Sequence, residues 1–289
     1  MSAALVKTMP TSVTTPTFVK MNGAGNDCVI VLQAGQPFRP TLETARAIAD
    51  RQTGIGCDQL IGLEASQRAD AFMRIWNADG GEVEACGNAA RCVASLLLKA
   101  TERDHVTIDS RSGVLRAHGA GQDLVSIDMG APGLDWRAIP LARRMDTREL
   151  DLSINAMLRA PGAVSMGNPH VVFFVPGAPD EAVREMGAMI EHHPLFPERV
   201  NVGFAQILAR DRLRLRVWER GAGLTKACGT GACAAVVAAY RRGLTDRRVT
   251  VIVDGGLLTI AWRESDNHVI MTGPAVLERA GALPAELTR

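Results

Sequence analysis

Residues 74–90 read RIWNADGGEVEACGNAA and residues 216–232 read RVWERGAGLTKACGTGA. Set side by side at a constant separation of 142 residues (74 to 216, 86 to 228), they share Arg74/Arg216, Trp76/Trp218, Gly81/Gly223, Ala85/Ala227, Cys86/Cys228, Gly87/Gly229 and Ala90/Ala232. The chain reads as a degenerate duplication. Each copy runs from a strand-like segment through a Gly-rich turn to a cysteine and then into a run of small apolar residues with helical character. The same separation aligns Gly25-Asn26 with Gly167-Asn168 and Val29-Ile30 with Val171-Val172. A further echo, at 147 residues, pairs IGCDQL (55–60) with VGFAQI (202–207).

Outward from these motifs, residues 18–22, 28–32, 60–64 and 71–77 alternate or run apolar and are expected as strands, with a helix over 41–52. A helix rich in Ala and Leu follows Cys86, and strands follow at 105–110, 114–118 and 124–129. The second half repeats the plan: strands at 164–166, 171–175, 206–208 and 212–220, helices at 179–191 and 229–242, and strands at 248–253, 257–262 and 268–272. Helix 229–240 is apolar or small on nearly every side and must be buried, which a strongly curved sheet wrapped around it would achieve. The expected class is α+β: two pseudo-symmetric domains, each a curved, mostly antiparallel sheet around a central apolar helix, with the active site in the cleft between them. Ala131-Pro132-Gly133 marks the boundary between a first half, 1–131 with the tail 274–289 packed back on it, and a second half, 132–273.

Bulk properties narrow the function. Of 289 residues, 32 are Lys or Arg and 31 are Asp or Glu, a net charge of +1. There is no basic excess to neutralise phosphates, which excludes nucleic acid as the main partner. No stretch is long and apolar enough for a membrane span. The N-terminal MSAALVKTMPTSVTTPTF lacks the apolar region of an export signal and reads as a frayed extension, so a cytoplasmic protein is expected. Six cysteines (28, 57, 86, 92, 228, 233) contain no CxxC and no zinc-type Cys/His spacing, so free thiols and no metal are expected.

A cysteine just before a helix faces the positive end of the macrodipole. That position is expected to shift the thiol toward thiolate. The amides of Gly87 and Asn88, and of Gly229 and Thr230, stand where a carboxylate can bind, because first-turn N–H groups lack helical partners. Two such ends facing each other would grip one carboxylate and leave its α-carbon between two sulfurs. One sulfur would take the α-proton and the other would return one. Amides around the carboxylate would stabilise the charge that develops, in place of an electron-sink cofactor. Cys28, Cys57, Cys92 and Cys233 are read as structural.

The motifs KMNGAGNDCVI (20–30), TGIGCDQL (53–60), RIWNADGGEVEACGNAARC (74–92), SMGNPH (165–170), RVNVGF (199–204) and WERGAGLTKACGTGACA (218–234) together resemble diaminopimelate epimerase, from Phe18 to Pro274. A lone ACGTGA would point only to the wider superfamily of proline and hydroxyproline racemases and PhzF-like isomerases. The resemblance implies a cofactor-independent epimerase that interconverts LL- and meso-2,6-diaminopimelate, on the way to lysine and peptidoglycan, and allows a homodimer. It implies that Cys86 and Cys228 are the acid/base pair, and that Gly87, Asn88, Gly229 and Thr230 hold the reacting carboxylate. It further implies that Glu219 binds the reacting ammonium, with Gln59 and His170 near the reaction centre. Asn26, Asn77, Asn168, Asn201 and Arg220 would hold substrate, chiefly its distal end.

These roles suit a ligand with an amino-acid group at each end, which needs an arginine for the far carboxylate and amides for both charges. Plainer readings stand beside them. Asn26 and Asn168 could shape turns, residues 77–80 a hairpin turn, Glu219-Arg220 a surface ion pair, and His170 a core histidine. The chain departs from the family pattern at Asn22 for a histidine, Cys28 for an aromatic and Ala89 for a glycine, and at Leu224 and Lys226 for polar residues of some members. None of these removes an expected polar contact.

Overall fold

The computed structural model describes residues 16–32, 37–83 and 86–287. The N-terminal extension through residue 15, Ala85 of the repeated motif and residues 288–289 lie outside them. Contacts divide the chain into two units, one running to Ile127 and resuming at Gly273, the other Asp128–Thr272.

In the first unit the order is β1 (Thr17–Gly23), β2 (Asn26–Leu32), α1 (Leu42–Ala49), β3 (Gln59–Glu64), β4 (Ala71–Asn77), β5 (Glu82–Val83), α2 (Gly87–Thr101), β6 (His105–Ser110), β7 (Gly113–Gly119) and β8 (Leu124–Asp128), with β17 (Val276–Ala282) returning from the far end of the chain. Ladders run β17–β1–β2–β3–β4–β6–β7. All are antiparallel except β2/β3 and β4/β6. Parallel neighbours need a crossover, and the two helices supply it: α1 joins β2 to β3, and α2 joins β4 to β6 through the short β5.

The second unit repeats this with β9 (Gly162–Ser165), β10 (Pro169–Phe174), α3 (Asp180–Glu191), β11 (Asn201–Ala209), β12 (Arg212–Glu219), β13 (Gly223–Thr225), α4 (Gly229–Arg241), β14 (Arg248–Val253), β15 (Gly256–Trp262) and β16 (Val269–Pro274). Its parallel pairs, β10/β11 and β12/β14, fall at the corresponding places. Each unit is thus a mixed, largely antiparallel sheet with one helix at its centre.

The central helices are dry. In α4 Gly229 and the whole run Gly231–Ala239 are buried, and α2 buries Asn88–Ser95 and Leu97. Sheet residues close over them: α4 touches β9, β10, β11, β12, β14 and β15, and α2 touches β1, β2, β6 and β7. The shorter helices lie on separate apolar clusters, α1 through Ala45, Ile48 and Ala49 with Phe38 and Trp76, and α3 through Val183 and Ile190 with Phe173 and Phe204.

The structure differs from the sequence reading at β11 and in the register of the repeat. The strand expected to start at 206 starts at Asn201, because Asn201–Ala205 are all buried beside parallel β10 and so show no alternation. Ladder register also replaces the echo at 147 residues. Cys28 faces Gln59 in β2/β3, and His170 faces Asn201 in β10/β11. Gln59 therefore corresponds to Asn201, at the same 142-residue separation as the cysteines, and not to Gln206.

Candidate active site

Cys86 and Cys228 are the N-caps of α2 and α4, both in extended backbone. Each sulfur accepts the third N–H of its helix, from Ala89 at 3.5 Å and from Gly231 at 3.4 Å. Each carbonyl accepts the fourth, from Ala90 at 3.0 Å and Ala232 at 2.9 Å. The thiols replace the hydroxyl or carboxylate that usually caps a helix, and the first-turn residues Gly87, Asn88, Gly229 and Thr230 lie at the positive end beside them.

In the first unit, β3 and β4 end side by side and bring Gln59 and Asn77 together, Gln59 Nε2 donating to Asn77 Oδ1 at 3.2 Å. Residues 77–81 form the tight turn that their composition suggested, with Gly80 N donating to Asn77 O and Asn77 N to Gly81 O, both 2.9 Å. Asn26 opens β2. The side-chain oxygens Asn26 Oδ1 and Gln59 Oε1 are buried and have no hydrogen-bond partner among the described residues. Buried acceptors without donors are costly, and an ammonium group would satisfy them. Asn88 Oδ1 accepts from Arg91 Nη2 at 2.7 Å. Fully buried Arg91 also reaches Gly23 O and Pro274 O, each at 3.2 Å, and so ties the helix start to the β1–β2 turn.

The second unit assembles a denser set. His170 Nε2 meets Asn168 Oδ1 at 3.0 Å, and Asn168 Nδ2 donates to Thr230 Oγ1 at 3.4 Å, which lies 3.6 Å from Cys228 Sγ. Burial, reinforced by the charge of Arg220, pushes the His170 pKa down to about 3, so it is a neutral hydrogen-bonding group. Asn201 is held by backbone at both ends: its Nδ2 donates to Pro169 O at 2.8 Å and its Oδ1 accepts Arg220 N at 3.0 Å. Arg220 Nη1 donates to Glu198 O at 3.0 Å. Glu219 accepts from the Thr225 hydroxyl, and its carboxylate lies close enough to act on the Cys228 thiol.

This last contact corrects the sequence expectation for Cys228. Burial pushes the Cys228 thiol well up, and the Glu219 carboxylate adds to it, outweighing the helix end and the Gly231 and Thr230 hydrogen bonds. Burial likewise raises Glu219. Burial and Glu219 both favour the thiol form of Cys228 over the thiolate.

Sequence reasoning missed three supporting groups. Arg91 is one. The second is Glu191 at the end of α3, only 3% exposed, whose carboxylate accepts Trp218 Nε1 at 2.7 Å and Gly221 N at 3.0 Å, bracketing Glu219 and Arg220. The third is a charged cluster around Asp27, Arg51 and Asp58. Asp58 lay inside a quoted motif and Arg91 three residues beyond Asn88, but nothing local marked Glu191.

A profile of the diaminopimelate epimerase family matches residues 18–134 and again 162–278, so each half is matched separately. The chain belongs to the diaminopimelate epimerase family. It is 60% identical over 270 residues to the diaminopimelate epimerase of Phenylobacterium zucineum strain HLK1, covering 92% of this chain and 97% of the relative. It is 54% identical over 284 residues to that of Caulobacter sp. strain K31, covering 94% and 98%. Solved structures share the fold at low identity. A probable proline racemase from Agrobacterium radiobacter K84 superposes with a TM-score of 0.65 at 16% identity, covering 94% of this chain and 93% of the other. A hydroxyproline epimerase from Agrobacterium vitis gives 0.66 at 15%, covering 93% and 90%. Among the described residues of this family member no helix is long and apolar enough to cross a membrane.

Proposed function

We propose that this protein interconverts LL- and meso-2,6-diaminopimelate without a cofactor, by moving a proton between the substrate α-carbon and two cysteines. The observation that carries the reading is the repetition of one device: in both halves of a chain of this family, a cysteine sulfur caps a helix whose first turn is Gly-Asn or Gly-Thr. The substrate carboxylate would lie against the amides of Gly87, Asn88, Gly229 and Thr230. The reacting ammonium would lie against Glu219, and Asn26, Gln59, Asn77, Asn168, Asn201 and Arg220 would hold the remainder, with neutral His170 fixing Asn168.

The chemistry needs both sulfurs to reach one carbon from opposite faces. A thiolate takes the α-proton and becomes a thiol. The electron pair left on carbon spreads into the bound carboxylate, where preorganised N–H donors stabilise it. The second thiol then delivers its proton to the opposite face and becomes the thiolate, which inverts the centre. Burial and Glu219 favour the thiol form of Cys228, which suits it to the acid's part when Cys86 is the base. The two exchange roles with each turnover and titrate as a pair. This reading carries with it a cytoplasmic enzyme, and a homodimer is its expected assembly.

The test uses reduced protein and LL-diaminopimelate in D₂O without pyridoxal phosphate. Deuterium at the α-carbon together with meso product is expected. Absence of both overturns the proposal.

A further inference from the structure

We propose that Arg51 is a positioning residue: by clamping the carboxylates of Asp27 and Asp58 it fixes where β2 and β3 begin, and so sets Asn26 and Gln59 for substrate. The inference rests on the function proposed above.

Strand alternation separates the two jobs. Asn26 and Cys28 project to one face of β2 and Asp27 to the other. Cys28 lies opposite Gln59, so Gln59 shares the Asn26 face, and the preceding Asp58 turns toward Asp27. There the two carboxylates cap each other's backbone. Asp27 N donates to Asp58 Oδ2 at 3.0 Å, while Asp58 N donates to Asp27 Oδ1 at 3.0 Å and to Asp27 O at 2.9 Å. Two carboxylates this close repel unless cations share them. Arg51 does so with three bonds, Nη1 to Asp27 Oδ2 at 2.9 Å, Nη2 to Asp27 Oδ1 at 2.8 Å and Nη2 to Asp58 Oδ1 at 2.7 Å. Lys20 adds a contact to Asp27 at 2.9 Å and donates to Gly56 O at 2.7 Å. Burial alone would raise the Asp27 carboxyl, but the contacts from Arg51 and Lys20 outweigh it and hold it well below the usual carboxylate range, while burial and the neighbouring Asp27 push Asp58 up.

The loop that presents Arg51 is built for this. Ile55 N and Gly56 N both donate to Ile48 O at 3.0 Å, folding the loop back on the end of α1. Only glycine fits at 54, where a Cβ would stand 2.0 Å from Ala47 O.

The duplicated fold does not itself demand the clamp. The second unit has Pro169, His193 and Val200 where the first has Asp27, Arg51 and Asp58, yet β9, β10 and β11 pair in the same way. The clamp therefore belongs to what the first unit's residues do, beside the two buried oxygens that await a donor.

Arg51 has a half-exposed side chain (55%), so its replacement leaves the core intact. The test compares wild type, Arg51→Met and Arg51→Lys in steady-state kinetics with LL-diaminopimelate and in amide exchange without substrate. Loss of charge-assisted bonds predicts for Arg51→Met a KM raised about tenfold at nearly unchanged kcat, and recovery of most of that loss in Arg51→Lys. Exchange should speed up locally in peptides covering 26–29 and 57–60. Unchanged KM with only a lower melting temperature, or unchanged exchange at those peptides, overturns the inference. If wild type itself fails to epimerise, the functional reading falls, and the exchange result alone decides whether Arg51 orders the two strand starts.

Discussion

Cys86 and Cys228 occupy the same point of a repeated fold in different surroundings. Cys86 is half-buried, and Ala89 stands three residues on. Cys228 is buried, touches Glu219 and Thr230, and has Gly231 in place of that alanine. The tryptophans one strand away diverge likewise. Trp76 sits edge-on to Phe38 in an apolar cluster, whereas Trp218 points its Nε1–H at buried Glu191. Duplication preserved the backbone frame, the caps and the parallel pairs, because these are set by local chemistry and ladder register. The polar anchoring was free to move, and each half braces its candidate site with a buried carboxylate at a different place, Asp27 at the strand starts and Glu191 at the β12–β13 loop.

The harshest way to break this comparison is to ask whether both thiols are needed. Cys86→Ala and Cys228→Ala should each lower kcat by about a thousandfold or more. Near-normal turnover in either variant would end the view that the halves contribute equivalent groups. Glu191→Gln comes next. Trp218 Nε1 and Gly221 N each use a different carboxylate oxygen, and in the amide one of these becomes a donor, so kcat/KM should fall about tenfold as the Glu219–Arg220 loop loosens. An unchanged value would show that this loop is held by something else.

A third measurement concerns His170, which has no titratable counterpart of its kind at Cys28. Its pKa falls from 6.5 in the unfolded chain to about 3 when buried. As pH drops below 6.5 the unfolded state gains a proton that the folded state refuses. The stability this group contributes is therefore full above that pH and lost toward 3, with a slope of about 1.4 kcal/mol per pH unit. Denaturant titrations of wild type and His170→Gln at about pH 7 and about pH 5.5 should differ by that slope. Parallel behaviour would mean that the imidazole is not protected from protonation.

The mildest pair swaps the helix starts. A Cβ at Gly231 would stand 3.2 Å from Cys228 Sγ and 3.1 Å from Val217 Cγ2, so Gly231→Ala should shift the thiol and lower kcat by about threefold to tenfold. Ala89→Gly should leave kcat nearly unchanged and cost about 0.5–1 kcal/mol in a denaturation measurement. Equal effects at the two positions would show that the surroundings of the sulfurs matter less than the comparison holds.

By itself the sequence determined the features that depend on near neighbours. Alternation or an apolar run marks β1 to β4, an all-apolar surface marks α4, and a cysteine before Gly-Asn or Gly-Thr marks each cap. The 142-residue repeat joins them into two like halves. The tertiary structure alone decided what depends on distant partners. Asn201–Ala205 hide as a strand because both faces are covered, and β17 (Val276–Ala282), exposed throughout, is a strand only because β1 pairs with it. The ladder, not the letters, matched Gln59 with Asn201. The helix end predicted a lowered thiol at Cys228, but burial and a carboxylate nine residues upstream reversed it. Nothing in a linear pattern announces that Lys20, Arg51 and Asp58 converge on Asp27. Backbone conformation answers to neighbours along the chain, whereas the energy of a buried charge answers to whichever groups the fold brings within a few ångströms.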